Sequence, residues 1–317
     1  MELRHVRYFV AVAEERSFTR AAQRLQIAQS PLSQQIQKLE RELGVALFVR
    51  TTRSVHLTHA GEVFYDRARH LLAGSDEAVT ATQKAARGEL GSLSLGFTGS
   101  ATYELLPALV RAYHERNPDV TLRLHSEMLT PAQVEALLDG QIEVGVLRPP
   151  VTAAGIVVEM LREEPLVVLL PTQHPAAAAR VLDLATLRDE PFVGYPSKPP
   201  STLHGLMLSA CRQAGFVPRI CQEAAQTATL VALVAAGLGV ALVPASVQHL
   251  RIDGATYRPL AAPATTAQLA LAYREGETNP LVRRYLETAR AVVIGRQRIP
   301  TPAPARQEAE DTFPLWM

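Results

Sequence analysis

The chain has 317 residues, 47% hydrophobic and 20% charged, enough to bury the cores of two or three domains. No apolar run reaches the roughly 18 residues that a membrane span needs, and the start, Met1-Glu2-Leu3-Arg4-His5, lacks the pattern of a secretion signal. The net charge of +1 conceals an asymmetry: residues 1–58 carry nine Lys/Arg against five Asp/Glu, and residues 59–317 carry 23 against 26, so a basic module precedes a mildly acidic body.

Leu3, Val6, Phe9, Val10 and Val12-Ala13 recur at helical spacing and predict a first helix ending near Glu15. Ser17 is placed to cap a second helix that runs to about Leu25. Within it, the small Ala21-Ala22 pair lets a following helix cross closely, as a helix-turn-helix requires. After the turn Gln26-Ile27-Ala28, a third helix begins near Gln29–Pro31, with proline suited to a first helical turn. Leu32, Ile36, Leu39 and Leu43 give it an inward stripe. The other face shows Ser30, Ser33, Gln34, Gln37 and Lys38, short donors and amides suited to base edges and phosphates in a major groove. An ordinary solvated face is the competing reading of that surface.

Gly44 ends the helix. Leu47-Phe48-Val49 and Val55-His56-Leu57 then predict a hairpin around Arg50-Thr51-Thr52-Arg53, a basic wing whose Arg50 and Arg53 suit phosphate or the minor groove. The string from Phe9-Val10-Ala11-Val12-Ala13-Glu14 through Ser17-Phe18-Thr19-Arg20-Ala21-Ala22, Leu32-Ser33-Gln34-Gln35-Ile36, Leu39-Glu40, Leu43-Gly44, Leu47-Phe48, Arg50, Leu57-Thr58 and Ala60-Gly61 resembles the amino-terminal domain of LysR-type transcriptional regulators. The resemblance covers residues 1–58 without a gap. It implies a winged helix-turn-helix that grips a pseudo-palindromic duplex site as a dimer, with Ser30, Pro31, Gln34, Arg50 and Arg53 at positions that meet DNA.

From Thr58 to about Arg87 there is no proline, and only Gly74 interrupts a long helical pattern. Val63-Phe64, Ala68, Leu71-Leu72, Ala78-Val79 and Ala85-Ala86 form an apolar stripe expected to bury itself against a second copy, giving a homodimer through residues 59–87. A homotetramer is the larger assembly expected. Gly88 and Gly91 mark a hinge that closes the linker, residues 59–90.

Beyond Gly91 strands and helices alternate. The expected strands are Leu93–Phe97, Val120–Leu124, Val144–Leu147, Leu166–Leu170, Phe192–Tyr195, Gly239–Pro244 and Leu269–Tyr273. The expected helices are Leu105–Asn117, Pro131–Asp139, Leu203–Gln213, Leu230–Ala236 and Pro280–Val293. This alternation predicts an α/β body with a doubly wound parallel arrangement. It is similar to the effector domain of the same family, itself similar in fold to periplasmic solute-binding proteins. That resemblance implies an effector-binding domain over 91–298, with lobe I at 91–161 and 267–298 and lobe II at 162–266. Residues 299–317, rich in proline and acids, are expected to be a disordered tail.

Ligands of open α/β sheets sit where helices begin. Thr98-Gly99-Ser100, Thr130-Pro131, Ser197–Thr202 and Gln226-Thr227 each precede a helix. Thr98, Ser100, Thr130, Ser201, Thr202 and Thr227 are therefore the candidate contacts for an anionic effector such as a carboxylate. Arg148, just past a strand end, is placed to supply the matching charge. The alternative is that each hydroxyl merely caps its helix and that Arg148 belongs to a salt bridge. A turn like Gly96-Phe97-Thr98-Gly99-Ser100-Ala101 also occurs in family members that respond to aromatic-catabolic acids such as muconate, a resemblance that leaves the effector open.

Other signals fail. Gly237-Leu238-Gly239 lacks a third glycine and lies between a helix and a strand, the reverse of a dinucleotide loop. The nine histidines show no paired ligand spacing, so no metal and no cofactor are expected, and no Gly-x-Ser-x-Gly elbow supports a hydrolase. Two cysteines fit a reducing compartment and a cytoplasmic protein. Cys211 matches the second thiol of the family's peroxide sensors, but Thr202 stands where the first would be, so Cys211 reads as a small buried apolar residue. A solute-binding protein and an α/β enzyme are the competing readings of the whole chain. A DNA-binding regulator that answers to a small effector, with RNA polymerase as a further partner, accounts for more of the sequence.

Overall fold

The computed structural model describes residues 1–51, 54–262 and 264–297. The chain divides into two compact units, Met1–Ala86 and Arg87–Met317. The predicted tail, 299–317, lies outside the described residues, as does Arg53. Among the described residues no helix is long and apolar enough to cross a membrane.

The first unit runs α1 (Leu3–Glu15), α2 (Phe18–Arg24), α3 (Gln29–Leu43), β1 (Phe48–Arg50), β2 (Val55–Leu57) and α4 (His59–Ala86). Ser17 caps α2, its hydroxyl accepting from the Arg20 N–H at 3.4 Å. Gly44 stops α3 in the left-handed region at φ 71, where a side chain would be strained. One core collects Val6, Phe9, Ala21, Ala22, Leu32, Ile36, Leu39 and Phe48, so the predicted inward stripes converge except at their ends, where Leu3 and Leu43 are exposed rather than inward. Phe9 packs on Phe48 at 5.2 Å and edge-on to Phe64 at 4.9 Å between ring centroids, contacts worth about 0.5–1.5 kcal/mol each beyond burial.

Helix α4 corrects one expectation. It runs unbroken through Gly74, but its first half does rest on its own chain: Ala68 is buried in the head core, with Phe64, Tyr65 and Leu72 packed against it. The apolar stripe is divided. Val63, Leu71 and Val79 are left exposed, at 55%, 45% and 55%. Thr58 fixes where the helix departs. Its hydroxyl accepts from the Gly61 N–H at 2.9 Å and donates to the Ala46 carbonyl at 2.8 Å. A β-carbon on Gly61 would overlap the Leu47 carbonyl oxygen, so hairpin and helix approach more closely than any side chain permits.

The second unit begins with β3 (Gly91–Phe97), a 3-10 turn at Gly99–Tyr103, α5 (Leu105–Arg116), β4 (Val120–His125), α6 (Thr130–Leu138) and β5 (Val144–Leu147). It continues through β6 (Ile156–Pro171), β7 (Pro191–Gly194), α7 (Thr202–Gln213), β8 (Arg219–Glu223), α8 (Thr227–Ala235) and β9 (Ala241–Pro244). A 3-10 turn at Ala245–His249, β10 (Ala255–Pro259), β11 (Thr266–Arg274) and α9 (Pro280–Gln297) complete it. Parallel pairing, as predicted, joins β3 to β4 and β5, and β7 to β8. The wholly parallel arrangement does not hold. β11 runs antiparallel to both β5 and β6, and β6 is antiparallel to β9 and β10.

Strand β6 is the reason. It was expected only at Leu166–Leu170, yet it starts at Ile156; in its first half only Leu161 and Glu164 are buried, among half-buried and exposed residues, so no apolar run marks it. Its Ile156–Pro165 segment pairs with β11 and its Leu166–Pro171 segment with β9 and β10, so one strand serves two cores. Leu161 belongs to a core with Leu93, Leu109, Tyr113 and Tyr285. Val168 and Leu170 belong to one with Phe192, Leu230 and Val243. Strands β8 and β10 escaped prediction because their side chains are mostly exposed or half-buried and show no apolar alternation.

The proposed hinge is also more constrained than glycine content suggests. Gly88 has φ 69, and a β-carbon there would overlap Pro280 backbone. Arg284 of α9 donates to the Arg87 carbonyl at 2.7 Å and to Glu89 at 2.9 Å.

Candidate nucleic-acid interface and ligand cleft

On α3, Ser30, Pro31, Gln34 and Lys38 are exposed and Ser33 is half-buried, while Leu32, Ile36 and Leu39 are fully buried behind them. Gln29, at the helix start, accepts from the Thr19 hydroxyl at 3.1 Å and so is partly committed within the head. A helix held from behind by three core leucine or isoleucine side chains presents its outer face rigidly, which is what reading base edges demands.

The wing shows a residue that the sequence reading passed over. Glu40 of α3 accepts from the Leu47 and Phe48 N–H groups at 2.9 and 3.2 Å through one oxygen, and from Arg50 at 2.7 Å through the other. Arg50 also lies 4.9 Å above the Phe18 ring. Arg50, expected at phosphate or the minor groove, also braces the hairpin against α2 and α3 through its guanidinium. Glu40 was visible only as part of the family string, since nothing local shows an acid reaching across the loop to the wing.

In the second unit the candidate hydroxyls divide into caps and non-caps. Ser201 is the N-cap of α7, accepting from the Leu203 N–H at 3.2 Å, so the capping alternative holds there. Thr130, Thr202 and Thr227 are instead the first residues of their helices, whose capping positions are Leu129, Ser201 and Gln226. Thr98 precedes the 3-10 turn without a side-chain cap bond. The hydroxyls of Thr130 and Thr202 converge, donating to the same Arg148 carbonyl at 2.8 and 3.3 Å.

Arg148 is 2% exposed. Its Nη2 donates to Ser100 Oγ at 2.8 Å and to Glu164 Oε1 at 2.6 Å, and its Nη1 to the Gln268 carbonyl at 3.1 Å. The reading of Arg148 as a free charge gives way to its stated alternative, a salt bridge. Glu164 is equally buried and takes the Ser246 N–H at 3.0 Å on its other oxygen. Arg162 lies 3.7 Å from Glu164 and pairs with Glu104 at 2.8 Å. Ser246 donates in turn to the Ser100 carbonyl at 3.2 Å. The network thus stitches together the 3-10 turn after β3, the end of β5, the middle of β6 and the turn after β9.

On the far side of the Gly99 turn, Tyr195 shares a 3.4 Å hydroxyl contact with Thr227. Burial pushes the Glu127 carboxyl up, with the nearby Thr227 backbone opposing. Burial raises the Tyr195 hydroxyl far above its ordinary range. Ser100, Thr130, Arg148 and Thr202 are therefore one cluster, with Thr227 in a second group beside Tyr195 and Glu127.

The profile described as "Bacterial regulatory helix-turn-helix protein, lysR family" matches residues 3–62, and that of the "LysR substrate binding domain" matches residues 86–293. The chain belongs to the LysR family. It is 42% identical over 286 residues to the HTH-type transcriptional regulator AlsR of Bacillus subtilis, covering 90% of this chain and 94% of that one. To BenM of Acinetobacter baylyi it is 38% identical, covering 92% and 96%. The crystal structure of CbnR, a LysR family transcriptional regulator, superposes with a TM-score of 0.82 at 31% identity, over 92% of this chain and all of that one. A structure of full-length CbnR complexed with its target DNA gives 0.80 over the same coverage.

This LysR-type chain is accordingly a DNA-binding transcriptional regulator with an effector-binding domain, and not an enzyme. Its thiols take no part in the network. Cys211 is fully buried in the core of Phe192 and Leu230, and burial pushes its thiol up to about 12, where the reactive thiolate is absent at neutral pH. Among the described residues no group of acids, histidines and cysteines is arranged to hold a metal.

Proposed function

We propose that this regulator grips a pseudo-palindromic promoter duplex through Ser30, Pro31, Ser33, Gln34 and Lys38 of α3, with Arg50 and Arg53 on the wing, and that a small carboxylate effector alters that grip. The DNA-binding domain is residues 1–58 and the linker 59–90. Two copies pair through residues 59–87, with the exposed Val63, Leu71 and Val79 as the apolar seam, and pairs associate into a homotetramer in the cytoplasm. RNA polymerase is the partner through which the bound regulator acts. The effector sits between lobe I (91–161 and 267–298) and lobe II (162–266), against Thr98, Ser100, Thr130, Ser201, Thr202 and Thr227, with Arg148 behind them.

The observation that carries the effector reading is the convergence of Thr130 and Thr202, first residues of α6 and α7, on the carbonyl of Arg148, whose guanidinium meets Ser100. Two helix starts meeting at one point suit an anion, and a carboxylate bound there would have to draw on an Arg148 guanidinium already paired with Glu164. Binding regulates only if the effector prefers one assembly of the protein over another. A thermal-shift screen of small carboxylates on the full chain tests the cleft, and a gel shift on the DNA upstream of its own gene tests the head. We expect a salt-sensitive, sequence-specific band whose mobility or affinity changes with the stabilising acid. A stabilising acid without any effect on the band breaks the coupling between them.

A further inference from the structure

Resting on the reading of the wing as a DNA contact, we propose that Glu40 positions the wing against α3 and cancels the charge of Arg50, so that Arg50 serves DNA binding by its placement and not by its charge. The hairpin cannot place itself. β1 and β2 pair over three positions, Phe48↔Leu57, Val49↔His56 and Arg50↔Val55, and a two-stranded ribbon of that size is marginal by itself. Its position relative to α3 has to come from outside the ribbon. Phe48 in the head core fixes one point, and Glu40 fixes the backbone around it. The Glu40 carbonyl accepts the Val45 N–H at 3.2 Å, and its Oε1 takes the Leu47 and Phe48 N–H groups at 2.9 and 3.2 Å. Bonds from N–H groups to an ionised acceptor are among the stronger ones. Connector and first strand thus hang on one residue of the helix that also carries Ser30, Gln34 and Lys38.

The register of the hairpin decides what Arg50 can do. Phe48 is buried, Val55 and Leu57 are half-buried against the head core, and Val49 and His56 are exposed. Side chains alternate along a strand, so Arg50 shares the inner face with Phe48. Its Nη2 donates to Glu40 Oε2 at 2.7 Å, and its guanidinium lies 4.9 Å above the Phe18 ring. The side chains of Arg50 and Glu40 are 30% and 15% exposed, so the pair sits at the edge of the core and not out in solvent. Opposite charges that close present little net field to a phosphate backbone. The salt dependence of DNA binding counts the phosphates that cations neutralise, and a cation already neutralised by its own chain adds little to that count. The guanidinium donors that Glu40 leaves free still direct a hydrogen bond, which depends on where the wing is held.

The test uses the full-length chain as wild type, Glu40→Ala, Glu40→Gln and Arg50→Gln, each checked for folding by circular dichroism and thermal melting. Binding is titrated over a range of salt to two probes, the duplex upstream of the chain's own gene and a random-sequence duplex of equal length. Glu40→Gln keeps an oxygen for the Leu47 and Phe48 N–H groups but releases Arg50, and Glu40→Ala removes both functions. Folded Glu40→Ala is expected to lose about tenfold or more of the ratio between upstream and random affinity. Glu40→Gln should keep more of that ratio, while its slope of log affinity against log salt steepens by up to about one unit on both probes. Arg50→Gln should lower the ratio and leave the slope as in wild type. An equal loss on both probes by Glu40→Ala is what simple destabilisation gives, and it overturns the positioning role, as does an unchanged ratio. If Glu40→Ala does not fold, Glu40→Gln decides, and a wild-type slope there overturns the inference. So does an Arg50→Gln slope shallower by about one unit, which would count Arg50 as a free cation. A wild type without preference for its upstream duplex breaks the promoter-site reading instead, and the slopes on the random duplex then decide this inference.

Discussion

The outer face of α3 and the buried cluster around Arg148 in the second unit both consist of polar side chains, but they use them in opposite ways. Ser30, Gln34 and Lys38 stand in solvent, and the rigidity of their helix comes from Leu32, Ile36 and Leu39 behind it. In the Arg148 cluster the polar groups are themselves the structure: Ser100, Arg148, Glu164 and Ser246 are buried, and each satisfies another. A surface built the first way can change its contacts without unfolding its domain. One built the second way makes binding and stability the same quantity, because any ligand must compete with bonds that already hold the fold.

The largest expected effect lies in the Arg148 cluster. Glu164→Ala leaves Arg148 buried without its counter-charge and should destabilise the second unit by about 3–5 kcal/mol, read from denaturant unfolding. A loss below about 1 kcal/mol would mean that the network is looser than its burial implies. Next comes Gly61→Ala in the head. Its methyl has no room beside the Leu47 carbonyl, and overpacking of this kind costs about 1–3 kcal/mol. Wild-type stability there would show that the hairpin and α4 adjust freely.

Gln34→Ala sharpens the contrast from the other side. Head stability should stay within about 0.5 kcal/mol, while affinity for the specific site falls by about 1–3 kcal/mol and affinity for random DNA does not. A drop in both stability and non-specific binding would instead make Gln34 a structural residue. For Lys38→Gln, the slope of log affinity against log salt should become shallower by about one unit. An unchanged slope removes Lys38 from the phosphate contacts.

The smallest effect is a pH response at Glu159, whose carboxyl is held below its ordinary 4.5 chiefly by the two hydrogen bonds from Arg290, at 2.9 and 2.7 Å, with Tyr273 adding a third. Because the folded value is the lower one, this group stabilises the fold above pH 4.5 and loses that contribution as pH falls through the depressed value. Glu159→Gln should cost about 0.2–1 kcal/mol at neutral pH, as for a largely solvated pair, with the two proteins converging in acid. A constant difference across pH would assign the effect to packing rather than charge.

How much could be read in advance follows the range of the interactions. Helices α1 to α4, the cap at Ser17, the stop at Gly44 and the wing are all local patterns, and all are present. The full length of β6, the antiparallel course of β11 and the exposed strands β8 and β10 were not legible. A strand that serves two cores mixes apolar and charged residues on each face, and an exposed strand carries no alternation. At the sites, the sequence marked Thr130, Arg148 and Thr202 by their places at element ends, and these converge. It gave no sign of Glu164, Ser246 or Glu127, and held Glu40 only within the family string.

The sequence by itself determined the family, the type of almost every element and the polar outer face of α3, because periodicity, caps and turn residues act over a few neighbours. The tertiary structure decided which charges are free. Arg50 and Arg148 look alike as basic residues at element ends, and both are claimed by acids from other elements, Glu40 and Glu164. A buried charge must find its counter-charge wherever the chain brings one, and distance in space, not in sequence, sets that choice.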